Sequence, residues 1–120
     1  MASGFEQKTF KPNEFLVKEG TPSDAAFLIS SGKVEIRKGA MGSNPQTIAV
    51  LGKGAVVGEM SLFDDHPPIA SAIAIEETTT SAISRDEFQR RVSAMDPVMR
   101  VILKIMVDRI RDMSKKPKVS

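Results

Sequence analysis

The side chains able to do chemistry in this 120-residue chain are few: one histidine, His66, and no cysteine, tryptophan or tyrosine. A thiolate nucleophile, a disulfide and a thiolate zinc site are therefore excluded, and one imidazole cannot build a multi-histidine metal centre. The usual aromatic platforms for stacking single-stranded nucleic acid are missing too. What remains is recognition chemistry, gathered between Gly58 and Ala70. Gly58 permits close approach of backbone and ligand, and Glu59 is an acceptor for a hydroxyl group. A short helix opening near Met60 and Ser61 would direct free N–H groups outward, an arrangement that favours an anion. Taken singly, Gly58 fits a tight β-turn and Glu59 a solvated acid. Neither residue alone marks a site.

These residues need a frame, and the sequence supplies one in short apolar runs separated by turns. Phe15-Leu16-Val17 stops at Lys18-Glu19-Gly20. Phe27-Leu28-Ile29 and Val34-Glu35-Ile36-Arg37 flank Ser30-Ser31-Gly32-Lys33, a spacing that predicts a hairpin. Thr47 to Leu51, Ile69 to Ile75 and Thr78 to Ile83 are further strand candidates, the last carrying the β-branched run Thr78-Thr79-Thr80. Evenly spaced strands with glycine-rich corners, from about Glu14 to Ile83, predict an antiparallel barrel or sandwich. Two helices follow. Ser84-Arg85-Asp86-Glu87 is a capping box, and Asp96-Pro97 places an N-cap before a proline at the first helical position. Residues 1–12 read as an N-terminal lead-in whose Met1 need not be the native start, 13–114 as one domain, and 115–120 as a basic tail.

The ordered series Lys18-Glu19-Gly20, Phe27 to Gly32, Leu51 to Glu59 and Gly58-Glu59-Met60-Ser61-Leu62 resembles the cyclic-nucleotide-binding domain family. The match runs from about Phe10 to Ser114. It implies an antiparallel β-roll of jelly-roll type with C-terminal helices. It also implies a phosphate-binding cassette at Gly58, Glu59, Met60, Ser61, Pro68, Ile69 and Ala70, with Glu59 accepting the ribose 2′-hydroxyl. The ligand it implies is cyclic AMP or cyclic GMP, with no other cofactor and no metal.

The chain departs from that family at one decisive place. The family continues with Pro-Arg and a small residue, the arginine pairing with the cyclic phosphate. Here a gapless count puts Pro68 at the arginine position, and one inserted residue puts Ile69 there. No lysine or arginine occurs between Lys53 and Arg85, while Glu59, Asp64 and Asp65 repel phosphate. Losing one partner of a buried charge pair costs about 2–5 kcal/mol. A micromolar site would fall to roughly millimolar. His66, with a free pKa of about 6.5, and Lys53, in a turn, are the substitutes within reach along the chain.

The last helix carries a separate signal. Met99, Leu103, Met106, Ile110 and Met113 recur at alternating spacings of four and three, a heptad seam. Val98, Val101, Ile102 and Ile105 form a second apolar line, together far wider than the ~100° stripe that covers one core. The seam predicts a homodimer, although a helix sunk in its own domain would show the same pattern. Residues 1–96 hold 10 basic and 13 acidic side chains and residues 97–120 hold 7 and 2, so the formal net charge of +2 conceals a basic end. A basic surface confined to a helix end, with no helix-turn-helix after it, argues against nucleic-acid binding by this chain alone. The absence of any apolar run near 18 residues argues against a membrane, and the expected location is cytoplasmic. Two functions remain open: a non-enzymatic regulatory module that binds cyclic nucleotide weakly, and a module that keeps the fold only to associate.

Overall fold

The computed structural model describes residues 5–40, 42–63 and 67–115. Eight strands form in chain order: β1 Phe5–Phe10, β2 Phe15–Val17, β3 Ala25–Ser31, β4 Val34–Lys38, β5 Gln46–Leu51, β6 Val56–Val57, β7 Ser71–Ala74 and β8 Thr78–Ser84. A 3-10 helix, Glu59–Leu62, interrupts them after β6, and α1 Arg85–Ser93 and α2 Pro97–Lys115 follow. The strands make two four-stranded antiparallel sheets, ordered β1-β8-β3-β6 and β2-β7-β4-β5.

Alternation along the strands builds the core. In β8, Thr78, Thr80 and Ala82 are buried while Thr79, Ser81 and Ile83 are only partly so. In β3, Phe27 and Ile29 point inward and Leu28 outward, as a period of two requires. They meet Val34 of β4, Val17 of β2 and Ala72 and Ala74 of β7, so the two sheets close on one apolar cluster. The buried threonine hydroxyls of β8 are bonded. Thr80 Oγ1 donates to the Lys8 carbonyl at 3.0 Å and Thr78 Oγ1 to the Glu76 carbonyl at 2.9 Å.

Two readings change. Residues 5–10 of the expected lead-in form β1, which pairs with β8 from Phe5↔Ile83 to Phe10↔Thr78. The alternation in Phe5-Glu6-Gln7-Lys8-Thr9-Phe10 is faint because the strand lies on the outer edge, exposed along most of its length. The roll therefore begins before Glu14. The expected hairpin across Ser30-Ser31-Gly32-Lys33 is also absent: β3 pairs with β6 and β8, whereas β4 pairs with β5 and β7. The turn carries the chain from one sheet to the other. Gly32 takes φ +98 there, and a Cβ on it would lie 2.4 Å from Thr78 Oγ1 and 2.5 Å from the Glu77 carbonyl.

Both helix starts form as their sequences dictate. The Glu87 N–H donates to Ser84 Oγ at 3.1 Å, and the Val98 N–H to Asp96 Oδ1 at 2.8 Å. The chain divides into two compact units, up to Phe88 and from Gln89 onward. The first holds the roll and the first turn of α1, and the second holds the rest of α1 with α2.

Candidate functional site

Gly58 follows β6 and caps the 3-10 helix with φ 77 and ψ 22, a left-handed conformation that glycine adopts without strain. A Cβ at this position would stand 3.2 Å from the Ala25 carbonyl and 3.2 Å from a Val17 methyl. The close approach that demands glycine here is thus to the roll itself. Beyond it, Glu59 is exposed and Met60 half-buried, while Ser61 and Leu62 turn inward. The Ser61 N–H bonds to the Gly58 carbonyl and the Phe63 N–H to the Met60 carbonyl, closing a single tight turn. Arg85 braces it from behind, its Nε donating to the Ser61 carbonyl at 2.7 Å and a terminal nitrogen to the Ser23 carbonyl at 3.0 Å. Phe63 packs edge-on against Phe88, with ring centroids 5.2 Å apart.

The other half of the cassette is clamped by backbone. The Pro68 carbonyl accepts the Gly20 N–H at 3.0 Å, and Ser71 Oγ accepts the Glu19 N–H at 2.9 Å. Glu19 also reaches across, its Oε1 accepting the Gly39 N–H at 2.8 Å. Residues 68–71 are therefore held between the 18–21 turn and the end of β4. Ile69 projects outward, 73% exposed, and Ala70 is half-buried at the entrance to β7.

Neither Pro68 nor Ile69 supplies a cation, but a lysine lies alongside them. Lys38, the last residue of β4, donates from Nζ to the Ile69 carbonyl at 3.1 Å. Spacing along the chain does not reveal it, because Lys38 lies 31 residues before Ile69 and only the β4–β7 pairing brings the two together. Arg85 was likewise visible only as a capping-box residue. Of the substitutes considered before, Lys53 sits exposed in a turn whose Gly54 N–H bonds to the Ile29 carbonyl. His66, Asp64, Asp65 and the tail from residue 116 lie outside the described residues. Among the described residues, no cluster of three or more His, Asp or Glu side chains could hold a metal, and no helix is long and apolar enough to cross a membrane.

On α2, Met99, Met106 and Ile110 of the seam are about half exposed and Leu103 is intermediate. Val98, Val101, Ile102 and Ile105 of the second line are exposed as well. Both lines leave apolar surface uncovered, with the side chain of Met113 outside the described set.

Comparison with known proteins places this architecture. Residues 7–94 match the family model of the cyclic nucleotide-binding domain. The cyclic AMP receptor protein of Thermus thermophilus is 29% identical over 110 residues, covering 92% of this chain and 51% of that protein. A cAMP-dependent protein kinase regulatory subunit of Emericella nidulans is 31% identical over 100 residues, covering 83% of this chain and 24% of its own length. The chain thus spans about half or less of these relatives. The crystal structure of the Thermus thermophilus catabolite activator protein superposes with a TM-score of 0.74 at 28% identity, over 93% of this chain and 53% of that one. A cyclic nucleotide-binding domain from Methylobacillus flagellatus gives 0.73 at 29% identity, over 98% and 71%. With the two antiparallel sheets, the glycine-capped turn after β6 and the family model across most of its length, the chain belongs to the cyclic nucleotide-binding domain family.

Proposed function

We propose that the chain is a non-enzymatic sensor module that binds cyclic AMP or cyclic GMP weakly, in a pocket closed by the turn at Gly58 to Ser61 and by residues 68–70. The observation that carries this reading is the division within the cassette. Its hydroxyl-recognising half is present, with Gly58 in its left-handed conformation and Glu59 exposed beside it. Its phosphate-pairing half carries Pro68 and Ile69 in place of an arginine. Relatives named for cyclic AMP support the ligand class. Calorimetric titration with each nucleotide tests the proposal, and dissociation constants of about 0.1–1 mM are expected from the loss of a bidentate pair.

The exposed apolar lines of α2 support a second reading, association of two copies through Met99, Leu103, Met106 and Ile110. This is compatible with the sensor role and becomes the whole function if no nucleotide binds.

A further inference from the structure

We propose that Lys38 supplies the cation that faces the ligand's phosphate, from the opposite side of the segment where the arginine is missing. The proposal rests on the cyclic-nucleotide reading above. Along β4, Val34 is buried in the core and Ile36 packs against it. Glu35 and Arg37 pair with each other on the alternate positions. The period of two then puts Lys38 on the same side of β4 as Val34 and Ile36, at the exposed end of the strand. Register with β7 is continuous from Val34↔Ala74 to Arg37↔Ser71, and the irregularity against β5 puts its extra residue, Ile48, on β5 rather than on β4. One step further along that register stands Ala70, the residue after Ile69.

Lys38 therefore emerges at the rim of the roll, at the stretch that carries Pro68 and Ile69. Its ammonium group is held by the Ile69 carbonyl, a single bond at an exposed position. Such a bond contributes little net stability, and a four-carbon stem can exchange it for an anionic oxygen without moving the backbone. Glu19 accepts the N–H of the neighbouring Gly39, so an acid is held one residue along the backbone from Lys38. A lysine offers a point charge where a guanidinium would offer two parallel donors, so the replacement is partial. This accounts for a site expected to be weak but still salt-sensitive.

The test is calorimetric titration of the full chain with cyclic AMP and cyclic GMP, for wild type, Lys38→Met, Lys38→Arg, Lys53→Met and the Lys38→Met/Pro68→Arg double variant. Lys38→Met should weaken binding by about tenfold or more, and raising salt should then matter less. Lys38→Arg and Lys53→Met should bind within a few-fold of wild type. Pro68→Arg should restore binding to Lys38→Met, which shows that the pocket survived the substitution. Wild-type affinity in Lys38→Met overturns the role of Lys38 and leaves the sensor reading standing. A loss that Pro68→Arg fails to restore also overturns it, because the damage would then be to the pocket. No binding by wild type at several millimolar removes the sensor reading and this inference together.

Discussion

Pro68 is the residue on which the ligand chemistry turns. Its carbonyl already accepts the Gly20 N–H, a bond that any residue at this position keeps. Placing arginine there should leave the clamp intact and add a guanidinium beside Ile69. Pro68→Arg, with Ile69→Ser to remove a bulky exposed side chain, is predicted to tighten cyclic-nucleotide binding by about thirtyfold or more, equivalent to about 2 kcal/mol. Glu59→Ala in that background should cancel much of the gain, because the carboxylate is the proposed ribose acceptor. Titration calorimetry on the three proteins reads both effects. The departure from the family pattern at Pro68 and Ile69 was legible from the sequence, since no lysine or arginine lies between Lys53 and Arg85. Lys38 was not, because its nearness to Ile69 is created by strand pairing rather than by spacing along the chain.

Elements announced themselves in proportion to how local their causes are. Both helix starts were readable because a cap is written within four residues, and each forms the bond its sequence calls for. β8 was readable because its β-branched run Thr78-Thr79-Thr80 favours a strand, and in the structure Thr78, Thr80 and Ala82 are buried with less buried residues between them. β1 was not, since an edge strand exposed along most of its length carries little pattern. The turn at Gly32 misled for a physical reason. Its glycine and short loop fit a hairpin, but the partner of each strand is set by packing across the whole roll. The glycine is needed there in another way, because Thr78 and the Glu77 backbone crowd its Cα. Gly32→Ala is therefore predicted to destabilise the fold by about 2–5 kcal/mol, from strain at positive φ and a steric overlap with backbone. Urea unfolding followed by circular dichroism should show the midpoint fall. An unchanged midpoint would mean that the crossing between sheets is looser than described.

For the molecule as a whole, the question is what α2 does with two uncovered apolar lines. Apolar surface contributes about 25 cal/mol per Å² when it leaves water, so a seam of Met99, Leu103, Met106 and Ile110 favours association. Light scattering at tens of micromolar is predicted to give a dimer mass, and Leu103→Glu should return it to a monomer. A monomer in wild type, unaffected by the substitution, would assign the seam to some other contact. Dimerisation and ligand binding are separable outcomes, and each can hold without the other.

The central claim is that this chain keeps a cyclic-nucleotide pocket whose phosphate contact has been weakened rather than closed. Titration of the native chain with cyclic AMP and cyclic GMP tests it most directly, at protein concentrations high enough to read weak heats. Saturable binding of at least one of them is expected, with a dissociation constant of about 0.1–1 mM. Binding at low micromolar or tighter would contradict the weakened contact, and no binding at several millimolar would contradict the pocket.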